Sequence, residues 1–535
     1  MKLPEISYGK TEISAAAVIS ILYASAAYFY RYGFESSFLI LAVMFAARAV
    51  IVFAAVLRIV LPGMHLLATR AFSKEAGRDR PLWRIVLLFA LIWLPFLLIK
   101  FPASIHPDTW QGIWQFRHGE MIVHQPVFFV VLVGEFMERF SPSAGIFLVA
   151  LLEYILYSFA FGYALTYADS LGINKKIRYI TIFLLGFSPF TLGYIGVVVK
   201  DEFFAAGMII FVVTLMELSR QKTLPLSKLI LLFFSSMMIF LFRPNGAYIL
   251  IAVALACIIS AVRGKSGARP AIPVITAIIL CYVINSALIS AYNVKRPDNY
   301  IKEALSVPFQ QTARYAVDHP DDITPEEKDI IDRIIPYDIM ISVYDPRISD
   351  PVKENYTGNN NLLPDYFGVW FKQLCRHPES YINAFGEQNY YLLNPASSTQ
   401  NIAFFEDTTV YYELDYKYDC KGSWMYEPIV DSPEFLTITR EALTAYCFAV
   451  INIPFVWITS NNGLCVLLFV LLSLLSLKNP QKRSLICYLP LWLTIFFILA
   501  GPVVQGQPRY TLPILYLIPV LLWDYLSVIR DSSDL

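Results

Sequence analysis

With 535 residues, 57% of them hydrophobic and 16% charged, and a mean hydropathy of +0.54, the chain reads as a polytopic helical membrane protein, not as a soluble enzyme with one large core. Lys plus Arg equals Asp plus Glu at 42 each, and no basic face or Arg-rich arm argues for nucleic acid as a partner. Five of the 7 Cys (Cys257, Cys281, Cys447, Cys465, Cys487) fall in apolar runs, and no spacing resembles a metal cluster or a disulfide framework. Cys375 and Cys420 lie in a long polar segment, where a single disulfide stays open.

In chain order, the apolar runs 15–34, 38–57, 85–99, 144–164, 180–199, 203–218, 230–242, 247–259, 271–290, 464–477, 485–500 and 512–528 predict about twelve membrane spans. The first follows Lys10 without an A-x-A-like cleavage site and reads as a retained span. If these runs alternate, the basic loops share one side: Arg70, Lys74, Arg78, Arg80 and Arg84; Lys175, Lys176 and Arg178; Arg220, Lys222 and Lys228; Arg263, Lys265 and Arg269; Lys478, Lys482 and Arg483. Positive charge stays inside, so both termini are expected in the cytoplasm. The opposite, external side then receives the loop His106-Pro107-Asp108-Thr109-Trp110-Gln111, Lys200-Asp201-Glu202, Arg243-Pro244-Asn245-Gly246, the segment 292–443 and 505–510.

Two apolar stretches do not fit as crossings. Residues 127–137 are short and end in Glu138-Arg139, which predicts a helix along the outer interface. Residues 445–458 are broken by Pro454 and read as interfacial or re-entrant, since a crossing there would turn the basic loop 478–483 outward. The chain thus divides into a transmembrane bundle over 1–291 with an external loop 101–126, an extracytoplasmic mostly helical or irregular domain over 292–443, and interfacial and transmembrane helices over 444–535. Within the external segment, Thr324-Pro325-Glu326-Glu327 reads as a helix start: Thr324 as N-cap, Pro325 at the first position and Glu327 completing a capping box, with Ile330, Ile331 and Ile334 on the apolar side. The stretches 355–365 and 411–418, dense in Tyr, Asn, Asp and Pro, suit either a cleft lining or ordinary headgroup anchoring. There is no GxGxxG, Walker loop, HExxH or heptad repeat, so soluble nucleotide-driven chemistry has no support.

The motifs Pro107-Asp108-Thr109 with Gln111, His124-Gln125-Pro126, Lys200-Asp201-Glu202-Phe203-Phe204, Phe242-Arg243-Pro244-Asn245-Gly246, 307–314 with Gln310, Gln311 and Arg314, Gly501-Pro502 and Pro508-Arg509-Tyr510 together resemble an uncharacterised bacterial membrane family, that of unknown function 6020. That family is in turn similar to the GT-C superfamily of integral membrane glycosyltransferases, by fold-level analogy. The resemblance implies a GT-C-like bundle in the bacterial cytoplasmic membrane, with its active site on the extracytoplasmic face, moving a sugar from a polyprenyl phosphate to an extracytoplasmic acceptor. It also implies that Asp108, in the first large external loop, is the catalytic base or orients the acceptor. His124 departs from the pattern, being separated from Pro126 by Gln125 where His and Pro are expected to adjoin.

Side-chain chemistry assigns further roles. Asp108 accepts the acceptor hydroxyl's proton, or else is a helix N-cap. His106 shares protons with it or is a surface histidine. Asp201 is a second catalytic candidate. Lys200, Arg243 and Arg509 suit a donor phosphate, the guanidinium because its planar fork gives two parallel hydrogen bonds; the bland alternative is span-end anchoring. His106, Gln111, His124, Gln310, Gln311, Arg314 and Tyr510 are candidates for the acceptor cleft. Asp108, Asp201 and Glu202 are candidate ligands for Mg2+ or Mn2+, though the resemblance implies no obligatory metal. The leading expectation is a glycosyltransferase acting on a cell-envelope glycan or lipid-linked acceptor. Its rivals are a polysaccharide polymerase or ligase, and a transporter or flippase of lipid-linked saccharide, which would place polar residues deep in broken spans.

Overall fold

The computed structural model describes residues 8–31, 38–73, 81–221, 224–263, 269–398, 436–450, 453, 460–478, 485–501 and 505–533. Its first half comprises α1 (Lys10–Arg31), α2 (Phe38–Ala55) continuing through one π-helical turn into α3 (Leu61–Ala71), α4 (Leu82–Ile99), β1 (Ser104–Ile105), α5 (Pro107–His118), α6 (Val127–Arg139), α7 (Pro142–Ser170), α8 (Lys175–Gly186), α9 (Pro189–Tyr194), β2 (Val197–Val198), α10 (Lys200–Arg220), α11 (Leu226–Phe242), α12 (Gly246–Val262) and α13 (Ala271–Ala291). The polar segment carries α14 (Ser306–Asp318), α15 (Pro325–Ile334), α16 (Tyr337–Ser342), α17 (Asp350–Lys353), α18 (Leu363–Arg376), α19 (Pro378–Asn389) and α20 (Pro395–Ser398). Four helices follow: α21 (Thr437–Val450), α22 (Asn462–Ser476), α23 (Leu485–Ala500) and α24 (Leu512–Ser533).

The chain is a polytopic, largely helical membrane protein, with fewer spans than the expected twelve. Among the described residues seven helices are long and apolar enough to cross a membrane: Lys10–Tyr30, Ile40–Ala71, Leu82–Ile99, Pro142–Ser170, Lys200–Arg220, Ala271–Ala291 and Leu512–Asp531. The helices α11, α12, α22 and α23 are apolar but have only 17, 17, 15 and 16 residues, short of the roughly 20 that a bilayer core requires. The remaining expected run, 180–199, is not one helix. Pro189 follows Gly186, Phe187 and Ser188, and the chain breaks into α8, α9 and β2. Apolar run length overstates helix length wherever a proline without a free N–H interrupts the ladder.

A break inside an apolar bundle frees carbonyls that water cannot reach, so other groups must satisfy them. Trp93 Nε1 donates to Gly186 O at 2.8 Å, closing the end of α8. Lys100, almost completely buried, donates to Leu192 O (3.1 Å), Gly193 O and Ile195 O (2.9 Å) at the end of α9. An ammonium there also complements the negative pole of that turn. β2 then pairs in parallel with β1, Ser104 opposite Val197 and Ile105 opposite Val198, and Thr109 Oγ1 donates to Val198 O at 2.7 Å. The segment following α4 is thereby fastened to the segment preceding α10.

α10 is the central helix: 89% of its apolar window is buried, against 11% for Ile40–Ala71 at the periphery. Around it pack α7, α11 and α24, with aromatic contacts such as Phe203 stacked on Phe242 at 4.4 Å. The opposite end of the bundle is tied by Arg220 to Asp524 (2.7 Å) and Arg178 to Asp169 (2.9 Å). The stretch expected as an interfacial helix is α6, which packs against α5 and α7 and buries Val127, Phe129, Val130, Val131, Val133, Gly134 and Met137. Of the stretch 445–458, the part up to Val450 is helical in α21, and Pro454 lies outside the described residues, as does Cys420.

In the polar segment a separate core of Phe309, Ile331, Ile334, Met340, Val352 and Tyr366 joins α14 to α18. Thr324 does cap α15, accepting the Glu327 N–H at 3.2 Å. The Glu327 carboxylate, however, accepts from Arg376 (2.6 Å) and ties α15 to α18.

Lys100→Met removes the donor for three buried carbonyls, and each orphaned group costs about 1–3 kcal/mol. Its unfolding temperature in detergent should fall further below wild type than that of Trp93→Phe, which orphans one. Equal stability of Lys100→Met and wild type would contradict the role of Lys100 in the broken crossing.

Candidate functional site

The polar loop after α4 opens α5 through a cap: the His106 Nδ1 accepts the Asp108 N–H at 3.2 Å, with Pro107 at the first helical position. Asp108 is therefore not the N-cap but a first-turn acid, favoured by the positive pole of α5. α10 starts directly after β2 and presents Lys200, Asp201 and Glu202 in its own first turn. Because β1 and β2 pair, those two helix starts meet. Lys200 Nζ donates to Asp108 Oδ2 at 2.7 Å and also to Gln125 Oε1.

Arg509 arrives from the turn before α24. Its Nη1 donates to the same Asp108 Oδ2 at 3.1 Å and lies 3.0 Å from His106 Nε2, while its Nη2 donates to the Tyr510 hydroxyl at 3.2 Å. Next to this group, Arg243 pairs with Asp201 Oδ1 at 2.5 Å and sits against the rings of Phe204 (5.1 Å) and Tyr510 (5.4 Å). Both cations on Asp108 converge on Oδ2; among the described residues Oδ1 accepts no hydrogen bond, and the side chain keeps 28% of its exposure. Counting Lys200, Arg243 and Arg509 against Asp108 and Asp201, this layer carries one surplus positive charge.

Burial by itself would raise the Asp108 carboxyl. The Lys200 ammonium, then the Arg509 guanidinium and His106, overcome that and hold it well below the ordinary carboxylate range. Asp108 is thus an anion throughout the physiological range, at the cost of reduced basicity while both cations hold it.

The fold therefore brings together Asp108, His106, Lys200, Asp201, Arg243, Arg509 and Tyr510 from four separated stretches of sequence. His124 is exposed on the neighbouring loop, within electrostatic reach of Lys200 and Asp108 but without a hydrogen bond to either. Gln111 is partly buried one turn along α5. Gln310, Gln311 and Arg314 are ties within the polar segment instead. Gln310 Nε2 donates to Ile348 O (2.7 Å) and Asp345 O (3.0 Å), Gln311 to Tyr381 O (3.3 Å), and Arg314 pairs with Asp318 and Glu387, each at 2.8 Å.

Asp108, Asp201 and Glu202 do not form a common metal site, because the first two carboxylates are each drawn to their own cations. Among the described residues the group that meets ligand spacing is His319, His377 and Glu379. Three participants escaped the sequence reading. Gln125, and not its neighbour His124, is the second acceptor for Lys200. Lys100 and Glu153 are single charges in or beside apolar runs, a costly placement that is visible in the sequence. Glu153 and Glu202 lie buried within electrostatic reach of each other, and among the described residues Glu153 Oε2 and both Glu202 oxygens have no hydrogen-bond partner.

A model of the family described as "Family of unknown function (DUF6020)" matches residues 124–534. Among solved structures the chain is similar to ArnT from Cupriavidus metallidurans, a crystal structure in the apo state, at 12% identity and a TM-score of 0.29 over 81% of this chain and 77% of that one. A likeness at that level carries neither fold nor activity across. No curated protein matches the chain.

A carboxyl whose folded pKa is lowered contributes stability above its ordinary value and loses it as pH falls through the lowered one. Asp108→Asn keeps the shape but leaves Lys200 and Arg509 without their anion. The stability gap between wild type and Asp108→Asn should be constant from neutral to mildly acidic pH and close only in strong acid, as read from thermal unfolding across a pH series. A gap that closes near neutrality would contradict the ion cluster.

Proposed function

The chain belongs to the family of unknown function DUF6020, and we propose that it is a membrane glycosyltransferase that moves a sugar from a polyprenyl phosphate to an acceptor hydroxyl. The observation that carries this reading is Asp108: one carboxylate oxygen clamped by Lys200 and Arg509, the other without a hydrogen bond among the described residues. Those cations suit the donor's phosphate, and the unbonded Oδ1 suits the acceptor's hydroxyl.

A polyprenyl-phosphate sugar is a phosphodiester with one negative charge, matching the surplus of this layer. When it binds, Lys200 and Arg509 share their hydrogens with phosphate oxygens, and Asp108 regains basicity as its cations are drawn off. The acceptor oxygen then forms a bond to the anomeric carbon while the carbon–oxygen bond to phosphate breaks, inverting the centre. Asp108 takes the hydroxyl proton. The leaving phosphate passes from one negative charge to two, and Lys200 and Arg509 stabilise that growing charge more than they stabilise the bound donor, which is the requirement for rate enhancement. Arg243 holds Asp201 and stacks on Tyr510, so it positions the rim of the site and acts on the donor through its neighbours. In this reading Lys200 and Arg509 supply the positive charge that the phosphate needs.

The cluster faces the extracytoplasmic side in this proposal, with residues 1–291 forming the bundle, 292–443 the outer domain and 444–535 the closing helices. A cell-envelope glycan or a lipid-linked saccharide is the acceptor class. A polymerase or ligase using a pyrophosphate-linked saccharide fits less well, since its ligand brings more negative charge than the layer's surplus. A flippase would have no use for a carboxylate oxygen held free beside the phosphate site.

Reconstituted protein supplied with a panel of polyprenyl-phosphate sugars should transfer one of them. Asp108→Asn should abolish transfer while retaining donor binding. Arg509→Ala should weaken donor affinity about 10- to 100-fold, the equivalent of one charged hydrogen-bonding group. Undiminished transfer by Asp108→Asn would exclude it as the base, and unchanged donor affinity in Arg509→Ala would remove the phosphate assignment.

A further inference from the structure

The chain has 6 histidines, and two of them, 58 residues apart in sequence, stack face to face in the polar segment. The rings of His319 and His377 are 3.7 Å apart and inclined by only 15°. His319 follows the last turn of α14, His377 fills the turn between α18 and α19, and Glu379 lies in the first turn of α19. Glu379 Oε1 is 2.9 Å from His377 Nδ1 and 3.7 Å from His319 Nε2. One ligand atom from each of the three residues falls within 4.8 Å of the others.

The second nitrogen of His377 is also engaged. Its Nε2 lies 3.2 Å from Asp322 Oδ2, which accepts in addition from the Tyr315 hydroxyl at 3.0 Å. A neutral imidazole has one N–H and cannot donate to carboxylates on both sides. With Nε2–H given to Asp322, Nδ1 presents its lone pair on the Glu379 side, and His319 brings a second nitrogen near the same carboxylate oxygen. In the stack the two lone pairs lie in nearly parallel planes, so a shared ion would turn one ring toward the edge of the other.

We propose that His319 Nε2, His377 Nδ1 and Glu379 Oε1 bind a divalent transition metal of the zinc class, with solvent completing the coordination and Asp322 orienting His377 from behind. Two imidazoles and a carboxylate are a donor set suited to zinc, and a carboxylate behind a ligating histidine fixes its tautomer and raises its basicity. The frame is held before any ion arrives. Ser380 Oγ donates to Asp318 Oδ2 at 2.7 Å, joining the end of α14 to the start of α19, and Arg376 Nη1 donates to Asp322 O at 3.1 Å. The ligands stay open to solvent, with side-chain exposures of 27% for His319, 32% for His377 and 51% for Glu379. The ion would bind α14 to the α18–α19 turn, in a place separate from the Asp108 cluster.

The test uses the full chain in detergent, purified without a histidine tag, stripped with a chelator and titrated with Zn2+ by calorimetry, with bound metal counted after dialysis. Wild type should bind one Zn2+ per chain and unfold at a higher temperature with it. His319→Ala and His377→Ala should each lose stoichiometric binding and the thermal shift while matching wild type in elution and in metal-free unfolding. Asp322→Asn should keep the stoichiometry and weaken affinity about 10- to 100-fold, as loss of an outer-shell partner does. Should either alanine variant fail to fold, Glu379→Gln, altered at an exposed side chain, reads the same loss. No saturable Zn2+ binding by wild type, or binding unchanged in the histidine or Glu379 variants, would overturn the proposal.

Discussion

The Asp108 carboxylate sits where two helix starts and the turn before the last span converge, and its contacts with Lys200 and Arg509 hold that junction together. Removing an anion and two cations from water costs several kcal/mol per ion unless each is well bonded. The side chains here meet that condition jointly: Lys200 between Asp108 and Gln125, Arg509 between Asp108, His106 and Tyr510, and Arg243 on Asp201 against two aromatic rings. An arrangement so interlocked is sensitive to any incoming anion, because that anion competes for hydrogens already shared with Asp108.

The broken crossing explains how the junction is aimed. A continuous helix over 180–199 would have carried its carbonyls inward and left no strand to pair with Ser104 and Ile105. The break at Pro189 yields β2, β2 sets the start of α10, and Thr109 bonds back to Val198. Trp93 and Lys100 absorb the carbonyls that the break releases. The same residues that make the backbone irregular thus place Lys200 beside Asp108.

Much of the site was legible in the sequence, because charge in an apolar chain is costly and therefore conspicuous. Asp108, Lys200, Arg243 and Arg509 stood out at the ends of apolar runs, and alternation of those runs put all four at one end of the bundle, where the fold brings them into a single cluster. What escaped detection was geometry without local signal. Nothing in His124-Gln125-Pro126 says that the amide, not the imidazole, reaches Lys200. Gln310, Gln311 and Arg314 have the composition of a cleft wall, yet their partners are backbone carbonyls and carboxylates of their own segment. The span count was overestimated because an apolar run reports burial, and burial is shared by full spans, by short helices such as α12, and by the interrupted 180–199. The stacking of His319 on His377 depends on α14 and the α18–α19 turn packing together, a contact that no sequence spacing encodes.

The central claim is that a phosphodiester takes over hydrogens that Lys200 and Arg509 now give to Asp108. A structure of the protein with a bound polyprenyl-phosphate sugar tests it most directly. The phosphate should lie between Lys200 and Arg509, with the acceptor-facing Oδ1 of Asp108 pointing at the anomeric side of the sugar. A phosphate bound elsewhere, with the Asp108–Lys200–Arg509 contacts unchanged, would contradict the account.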